Sequence, residues 1–246
     1  MRIAVIADVH GNRIALDAVL AHIRVSSPDM IVNLGDLVSG PFDPHGSAEA
    51  QMALDCPTIA GNQERQLLEG GMGFSDAYAR DRLDGAHMHW IASLPKTLTL
   101  AGGEVFACHG SPAGGDLEYL LEDVRSGVPV LDSEAGIRQR LRGIGDARVV
   151  LCGHTHIPRI ATVSGILVVN PGSVGMPAYR DVTPVAHVME AGAPHARYAT
   201  VEKGRWGWAA ELRAVPYDFE AAAYQAEEAG RPAVAYSLRT GRLPTS

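Results

Sequence analysis

The chain is poor in cysteine and has no long apolar run. Three cysteines, Cys56, Cys108 and Cys152, occur in 246 residues. They are too few, and odd in number, for a disulfide framework, which predicts a reducing compartment and a cytoplasmic protein. None belongs to a C-x-x-C pair, which argues against a structural zinc site. No window approaches the roughly 20 apolar residues of a membrane span, so no membrane partner is expected.

Positive charge is also scarce. The chain has 21 Lys and Arg against 28 Asp and Glu, a net charge of −7 with histidine neutral. Long nucleic acids and anionic membrane surfaces bind to cationic protein surfaces, so neither is an expected partner. The apolar fraction of 46% is sufficient for one sizeable core.

Apolar periodicity predicts alternating strands and helices in the first half of the chain. The predicted strands are 3–7, 30–34 and 58–60, and the predicted helices are 14–23, 48–54 and 76–94. The second half is rich in predicted strands, at 97–100, 105–108, 149–152, 159–163, 166–169, 185–189, 196–201 and 208–215, with a helix at 132–141. Asp218 is a predicted N-cap for a helix at 219–229, and a last helix ends near 239. We expect one α/β domain over 1–215 with a helical appendage over 216–246.

Metal-ligating side chains follow the ends of the predicted strands, each close to a glycine. They are Asp8, His10, Asp36, Asn62, His109, His154 and His156. Alone, such an Asp is often a helix N-cap and such a His often a core residue, but their common placement favours metal binding. Seven donors are too many for one tetrahedral ion and suit two ions that share a bridging carboxylate. Mixed imidazole, carboxylate and amide ligation fits Mn, Fe or Zn better than Mg or Ca.

The charge of such a site predicts its chemistry. Two divalent ions contribute a charge of about +4, and Asp8 and Asp36 are the only carboxylates among the predicted ligands, so the pair keeps about +2. A positive pair attracts an anionic oxygen substrate and generates hydroxide near neutral pH. Metal-assisted hydrolysis of a small phosphate ester is therefore the expected reaction.

The ordered motifs resemble those of the calcineurin-like metallophosphoesterase superfamily. They are Asp8/His10, Gly35-Asp36, Gly61-Asn62-Gln63-Glu64, His109-Gly110 and Gly153-His154-Thr155-His156. The resemblance covers most of 1–215, and the segment Asn170-Pro171-Gly172-Ser173-Val174-Gly175 is similar to one in small bacterial predicted phosphodiesterases. It implies an α/β fold built as a four-layer α/β/β/α sandwich, with two mixed sheets flanked by helices.

The resemblance also implies a division of ligands. Asp8, His10 and His156 would hold one metal ion, Asn62, His109 and His154 the other, and Asp36 would bridge the two. A bridging hydroxide would then attack phosphorus in line.

Position 63 departs from the family pattern. Gln63 stands where most relatives carry a histidine that protonates the leaving oxygen or binds the phosphate. An amide donates hydrogen bonds but is no general acid near neutral pH. We expect Asn62 and Gln63 at the reacting phosphate, and a preference for good leaving groups.

Four further residues are candidates for substrate contact or ligand support. Asn12 either contacts substrate or caps the first helix, and His45 either reaches the site from the loop after Asp36 or is solvated. Asn170 and Ser173 either orient ligands and touch phosphate or form a turn.

The sequence favours a dinuclear-metal phosphodiesterase or phosphatase for small substrates. A nucleotide polyphosphate hydrolase and a non-catalytic metal-bound scaffold are the alternatives. The helical tail either caps the fold or forms the surface of a homo-oligomer.

Overall fold

The computed structural model describes residues 1–70 and 73–245, so Ser246 of the predicted tail lies outside the described residues. The strands are β1 (Arg2–Ile6), β2 (Met30–Asn33), β3 (Thr97–Leu100), β4 (Val105–Cys108), β5 (Glu122–Asp123), β6 (Val130–Leu131), β7 (Val149–Leu151), β8 (Arg159–Val163), β9 (Ile166–Asn170), β10 (Ala178–Asp181), β11 (His187–Glu190), β12 (Ala196–Gly204) and β13 (Gly207–Val215). The helices are α1 (Arg13–Ser26), α2 (Pro44–Met52), α3 (Asn62–Glu69), α4 (Phe74–Arg80), α5 (Gly85–Ser93), α6 (Glu134–Arg140), α7 (Phe219–Glu228) and α8 (Pro232–Thr240), with a 3₁₀ turn at Ala101–Gly103.

Two mixed sheets form the centre of the fold. The first has the strand order β13-β12-β1-β2, in which only β1 and β2 are parallel. The second has the order β3-β4-β7-β9-β8, with β4, β7 and β9 parallel and the two outer strands antiparallel. Helices flank both sheets, and the predicted four-layer α/β/β/α sandwich is confirmed.

The core follows from the alternation of side chains along the strands. On β1 and just after it, Ile3, Val5 and Ala7 point toward the second sheet and pack against β4, β7 and β9. Ala4 and Ile6 point the other way, against the apolar face of α1. A third cluster joins the outer face of the second sheet to α6. Because β1 is covered on both faces, its sequence is a continuous apolar run.

The C-terminal helices pack onto the sandwich. Phe42, from the loop before α2, lies in a cluster with alanines of α7 and with Ala235 and Leu238 of α8. Asp218 caps α7, as predicted, by accepting a hydrogen bond from the backbone N–H of Ala221 at 3.0 Å. Strands β12 and β13 complete the first sheet up to Val215. The division into 1–215 and 216–246 stays a prediction.

The predicted strand at 58–60 is wrong. Thr58 makes a single isolated bridge to Asn33 of β2. Pro57 has no N–H to extend the pairing, and the N–H of Ala60 turns away to the carbonyl of Pro95, at 2.9 Å. The segment therefore follows β2 only briefly before it enters α3.

Two predicted helices have different bounds. The stretch 76–94 is two helices, α4 and α5, because Asp84 caps a new helix by accepting from the N–H groups of Ala86 and His87. Helix α2 begins at Pro44 rather than at 48, since Asp43 is its N-cap and proline suits the first helical position. His45 consequently lies in a helix rather than in the loop where we expected it.

Several elements carry weak sequence signals and were not predicted. They are helix α3, strand β10 and the short β5–β6 pair. The strand predicted at 185–189 is β11, shifted to His187–Glu190, and it pairs antiparallel with β10. No helix among the described residues is long and apolar enough to cross a membrane.

Leu238→Ala tests whether the tail is part of the same folding unit. Leu238 is fully buried in the cluster around Phe42, so its truncation should lower the free energy of unfolding by about 2–5 kcal/mol. Tyr236, on the same helix and 43% exposed, is the matched control, for which Tyr236→Ala should cost only about 0.5 kcal/mol. Urea denaturation measures the free energy of unfolding of both variants. Equal, small decreases in the two variants would mean that the tail unfolds separately from the rest of the domain.

Candidate metal centre

The predicted ligands converge at one edge of the two sheets. Two groups each bring a potential ligand atom from three residues within 4.8 Å of one another. The first group is Asp8, His10 and His156, and the second is Asp36, His109 and His154. All six residues are buried, and Asn62, at the start of α3, adjoins the second group, with its Oδ1 3.1 Å from Nε2 of His109.

Asp36 lies between the two groups. Its Oδ2 is 3.4 Å from Nε2 of His109 in the second group and 3.9 Å from Nε2 of His10 in the first. Its Oδ1 accepts a hydrogen bond from the backbone N–H of Gln63 at 3.0 Å, which fixes the orientation of the carboxylate. One carboxylate oxygen is thus within reach of ions held by either group.

Backbone carbonyls determine which nitrogen each histidine presents. Nδ1 of His10 donates to the carbonyl of Ser39 at 2.9 Å, and Nδ1 of His109 donates to Leu34 at 2.7 Å. Nδ1 of His156 donates to Met176 at 2.6 Å. Each Nε2 therefore points into the centre, and this arrangement is the one that orients metal-binding histidines in proteins.

Three of the imidazoles are poised as neutral ligands. Burial lowers the pKa values of His10 and His156, and it lowers the pKa of His154 to about 4. Nε2 of His10 and Nε2 of His156 face each other at 3.0 Å. Since both Nδ1 atoms carry the protons, two lone pairs meet there, and a cation between them relieves the repulsion.

The carboxylates also require a nearby positive charge. Burial raises the pKa of Asp8 well above its usual range. Burial acts the same way on Asp36, but the charges of His109 and His10 outweigh it and hold the pKa of Asp36 low. In return Asp36 overcomes the effect of burial on His109 and raises its pKa to about 10. A divalent ion at this position would displace the proton of His109.

Five of the predicted ligands sit on an unusual backbone. Asp8, His10, Asp36, His154 and His156 have φ of 56°, 51°, 55°, 68° and 59°, in the left-handed region. Asp and His enter this region more readily than most residues with a β-carbon. In this conformation His154 and His156, two residues apart, contribute to the two neighbouring groups. Strained backbone of this kind is concentrated at functional sites.

Glu64 holds two ligand segments together. Its fully buried carboxylate accepts hydrogen bonds from the backbone N–H groups of Asp36, Leu37 and Gly61, each at 2.8 Å. Burial and the charge of Asp36 raise its pKa to about 7, against the opposing effect of the three amides. Glu64 stands in the Gly61–Glu64 motif, but its two long-range amide contacts, to Asp36 and Leu37, leave no signal in a single sequence.

A glycine permits the close approach of these segments. A β-carbon on Gly61 would collide with Oδ1 and the backbone nitrogen of Asp36 and crowd the ring of His109. Residue 61 must therefore lack a side chain for Asp36 and His109 to occupy their positions.

The four additional candidates lie outside the groups of ligands. Asn12 caps α1 through Ala15 and donates to the carbonyl of Gly175. Asn170 donates to Gly153 and Thr155, behind the loop that carries His154.

Ser173 and His45 complete the set of candidates. Ser173 donates to the carbonyl of Asp8 at 2.7 Å, so it supports a ligand segment from behind. His45, exposed on α2, lies 4.9 Å from the ring of His87 rather than with the ligands.

The family of the chain follows from its similarity to known proteins. The family model described as the calcineurin-like phosphoesterase superfamily domain matches residues 1–190. The chain belongs to this superfamily. The resemblance inferred from the motifs is confirmed.

Relatives of this superfamily member include proteins from archaea and bacteria. An uncharacterised protein of Methanocaldococcus jannaschii is 27% identical over 201 residues, covering 71% of this chain and 76% of that protein. The crystal structure of a metallophosphoesterase from Sphaerobacter thermophilus is similar with a TM-score of 0.74 and 25% identity, covering 98% of this chain and all of the other. A hypothetical protein from Pyrococcus horikoshii gives a TM-score of 0.77 at 20% identity, covering 99% of each chain.

An open cleft leads to the ligands of this phosphoesterase domain. Its volume is about 670 Å³, and its floor includes His10, Asp36, Asn62, His154 and His156. Gln63 also lines it, and the buried Oε1 of Gln63 has no hydrogen-bond partner in residues 1–70 and 73–245. The position predicted to act on the phosphate thus faces the cleft.

Two tyrosines that the sequence did not indicate lie against His154 and His156. The ring of Tyr119 lies 5.0 Å from that of His154, and the ring of Tyr179 lies 4.7 Å from that of His156. The hydroxyl of Tyr179 donates to the carbonyl of His154 at 3.0 Å. Both residues come from segments without a recognisable motif, so only the folded chain brings them to the cleft.

Glu64→Gln tests the support of the centre. The amide nitrogen would face at least one backbone N–H that the carboxylate now accepts, and we expect a loss of about 1–3 kcal/mol in the free energy of unfolding. Metal affinity should fall about 10–100-fold, as for other residues that orient ligands. Glu69→Gln, an exposed position on the same helix, is the control. Metal titration and urea denaturation measure both effects, and wild-type values for both would contradict the role of Glu64.

Proposed function

We propose that the protein is a phosphoesterase that binds two divalent transition-metal ions, Mn, Fe or Zn, and hydrolyses small phosphate esters. The observation that carries this proposal is the position of Asp36 between two buried three-residue groups, with Oδ2 3.4 Å from His109 and 3.9 Å from His10. The donors fit such ions, since inward-facing imidazole nitrogens and carboxylates are the ligands that these metals prefer.

Two ions bound here would polarise a phosphate oxygen and lower the pKa of water to near 7. The chain supplies the rest of the arrangement. Asp36 and Asp8 offer only two negative charges, so the loaded centre stays positive and attracts an anionic substrate. The carbonyls of Leu34, Ser39 and Met176 hold the imidazoles in place, which keeps the positions of the donors fixed during the reaction.

The cleft supports a small substrate. Ligand pockets of roughly 300–1,000 Å³ enclose molecules the size of a nucleotide or less, and this cleft has about 670 Å³. Tyr119 and Tyr179 provide apolar faces on its wall beside the predicted ligands. We infer a phosphodiesterase or phosphatase of the cytoplasm rather than an enzyme for proteins or long nucleic acids.

Gln63 restricts the leaving groups. Its side chain lines the cleft beside Asn62, and an amide stabilises the leaving oxygen by a hydrogen bond without transferring a proton. Esters whose leaving oxygen is stable as an anion, such as aryl esters, should therefore be the better substrates.

A nucleotide polyphosphate hydrolase is the second candidate. Arg180 lines the cleft. It is exposed, and its guanidinium makes no ion pair or hydrogen bond within the described part of the chain. An unpaired guanidinium suits a second phosphate group. Faster hydrolysis of a nucleoside polyphosphate than of any simple ester would favour this candidate.

Metal-dependent hydrolysis is the primary test. Chelator-treated protein should regain activity toward an aryl phosphodiester or an aryl phosphomonoester when Mn²⁺, Fe²⁺ or Zn²⁺ is added, and the ratio of the two rates separates phosphodiesterase from phosphatase. Asp36→Asn should lower kcat more than about 100-fold, which exceeds the loss expected for a residue that only orients a metal ligand. It should also reduce the amount of bound metal.

Asp17→Asn, an exposed aspartate on α1, is the control for Asp36→Asn. Two bound ions without turnover of any ester would instead favour the non-catalytic scaffold. Retained activity in Asp36→Asn would contradict the bridging role.

Gln63→His tests the leaving-group hypothesis. A histidine at this position can donate a proton, so hydrolysis of an alkyl phosphodiester should rise, by up to about 10²-fold. Hydrolysis of an aryl diester should change little. Gln66→His, one turn further along α3 and also lining the cleft, is the control. An unchanged alkyl rate in Gln63→His would rule out proton transfer as the limiting factor.

A further inference from the structure

A cluster of metal-ligating side chains lies between α2 and α5, outside the cleft. His45 and Glu49 are four residues apart on α2 and share a face of that helix. Asp84 and His87 are three residues apart at the beginning of α5 and face them. None of these four residues lines the cleft or belongs to the ligand groups of the dinuclear centre.

His87 is the buried centre of the cluster. It is only 1% exposed, and carboxylates flank both ring nitrogens. Nε2 lies 2.9 Å from Oε1 of Glu49, and Nδ1 lies 2.8 Å from Oδ1 of Asp84. Nδ1 also accepts a hydrogen bond from the backbone N–H of Asp84 at 3.2 Å. The proton of the neutral ring then sits on Nε2 and is donated to Glu49. The single lone pair of Nδ1 accepts the N–H of Asp84, a hydrogen bond that a metal ion bound to Nδ1 would replace.

His45 adds a ligand without another partner. Its ring lies 4.9 Å from that of His87, nearly perpendicular to it, and no hydrogen bond ties it to the described residues. One ligand atom from each of His45, Asp84 and His87 lies within 4.8 Å of the others. The His45 side chain is exposed, whereas Oδ1 of Asp84 is held in place as the N-cap of α5, so His45 is the residue that would move toward an ion.

We propose that His45, Asp84 and His87 form a separate structural zinc site that joins α2 to α5. Two imidazoles and one carboxylate suit Zn²⁺, and water would complete a tetrahedral shell. Glu49 would not bind the ion but would accept the Nε2 proton of His87, the carboxylate–histidine–metal arrangement that raises ligand basicity. The absence of C-x-x-C pairs argued against structural zinc, but a site of this composition needs no cysteine.

The site would brace the region next to the dinuclear centre. Helix α2 follows directly on the loop that carries Ser39, whose carbonyl accepts from Nδ1 of His10. Fixing α2 to α5 therefore restricts movement of a loop that orients a ligand. The inference does not depend on the proposed hydrolysis, because the binding of zinc at this site is measured without a substrate.

An ion pair is the competing explanation of the same contacts. A doubly protonated His87 between Glu49 and Asp84 would satisfy both carboxylates and leave His45 as a surface residue. The two explanations differ in zinc stoichiometry, since an ion pair with protonated His87 binds no metal.

Zinc titration of the full chain separates them. Chelator-treated wild-type protein, His45→Gln and His89→Gln are dialysed against Zn²⁺ and their bound metal is measured. His89 is exposed on the same helix as His87 but lies outside the cluster, so His89→Gln is the matched control. We expect His45→Gln to bind one zinc ion fewer than the other two proteins, whatever the occupancy of the dinuclear centre.

Two further measurements check the geometry. Asp84→Asn should also lose one zinc ion, because asparagine keeps the N-cap of α5 but removes the charged ligand. Glu49→Gln should bind zinc at this site about 10–100-fold more weakly. At one hundred times Kd, zinc should raise the Tm of wild-type protein about 5–10 °C more than that of His45→Gln.

The outcomes are decisive in both directions. Equal zinc content in wild type, His45→Gln and Asp84→Asn overturns the proposal and leaves the ion pair. Metal-free His45→Gln should have the same Tm as metal-free wild type, since His45 makes no hydrogen bond to the described residues. If the metal-free His45→Gln variant has a lower Tm than wild type, the zinc affinity of Glu49→Gln is the deciding measurement. Weaker zinc binding by Glu49→Gln supports the site, and zinc affinity equal to that of wild type overturns it.

Discussion

The candidate metal centre depends on one constraint, the burial of the two carboxylates of Asp8 and Asp36. Asp8 and Asp36 follow neighbouring parallel strands, and both are buried at the edge of the two sheets, where an uncompensated charge is costly. Without metal, the protonated His109 supplies part of the missing positive charge. The remaining imidazoles are neutral and turn their lone pairs inward. The folded chain therefore presents buried carboxylates and inward-facing lone pairs that a cation would stabilise, and the raised pKa of Asp8 reflects the cost of its charge when no cation is bound.

The loops that carry the ligands are held mainly by backbone hydrogen bonds. The N–H groups of Asp8, His10 and Gly11 donate to the carbonyls of Gly35, Asp36 and Leu37, so the two loops form a short ladder beyond the end of the sheet. Glu64 connects the second loop to α3, and Ser173 connects the first to the segment after β9. Ligands from distant parts of the sequence are thereby fixed relative to one another before any ion arrives, which lowers the cost of assembling the site.

The sequence predicted what depends on local pattern. Continuous apolar runs such as 3–7 mark the buried strands, and histidines or aspartates directly after them identify the ligand candidates. The predictions were wrong where a hydrogen-bond partner outside the local pattern determines the secondary structure. Residues 58–60 look like a strand, but the carbonyl of Pro95 draws the chain away from β2. The stretch 76–94 looks like one helix, but the capping by Asp84 divides it.

The same distinction holds at the candidate site. Tyr119 and Tyr179 reach the cleft through a loop and the β10–β11 hairpin, which have no motif. Glu64 acts on backbone groups 27, 28 and 3 residues away, two of which only the fold brings near. Residue type and spacing therefore identify the groups that bind a metal, while the groups that hold them in place become visible in the structure.

The left-handed backbone at five of the predicted ligands limits which amino acids these positions tolerate. Valine, isoleucine and threonine are disfavoured there by the branch at their β-carbon, whatever the metal requires. Substitution of these residues by alanine would have two effects at once. It would remove the atom predicted to bind the metal, and it would place at a positive φ a residue that is less suited to that conformation. For Asp8 and Asp36, asparagine keeps the backbone preference and changes only the charge. The fold thus restricts the evolution of this centre to a small set of side chains, and aspartate, asparagine and histidine are those that also bind metals.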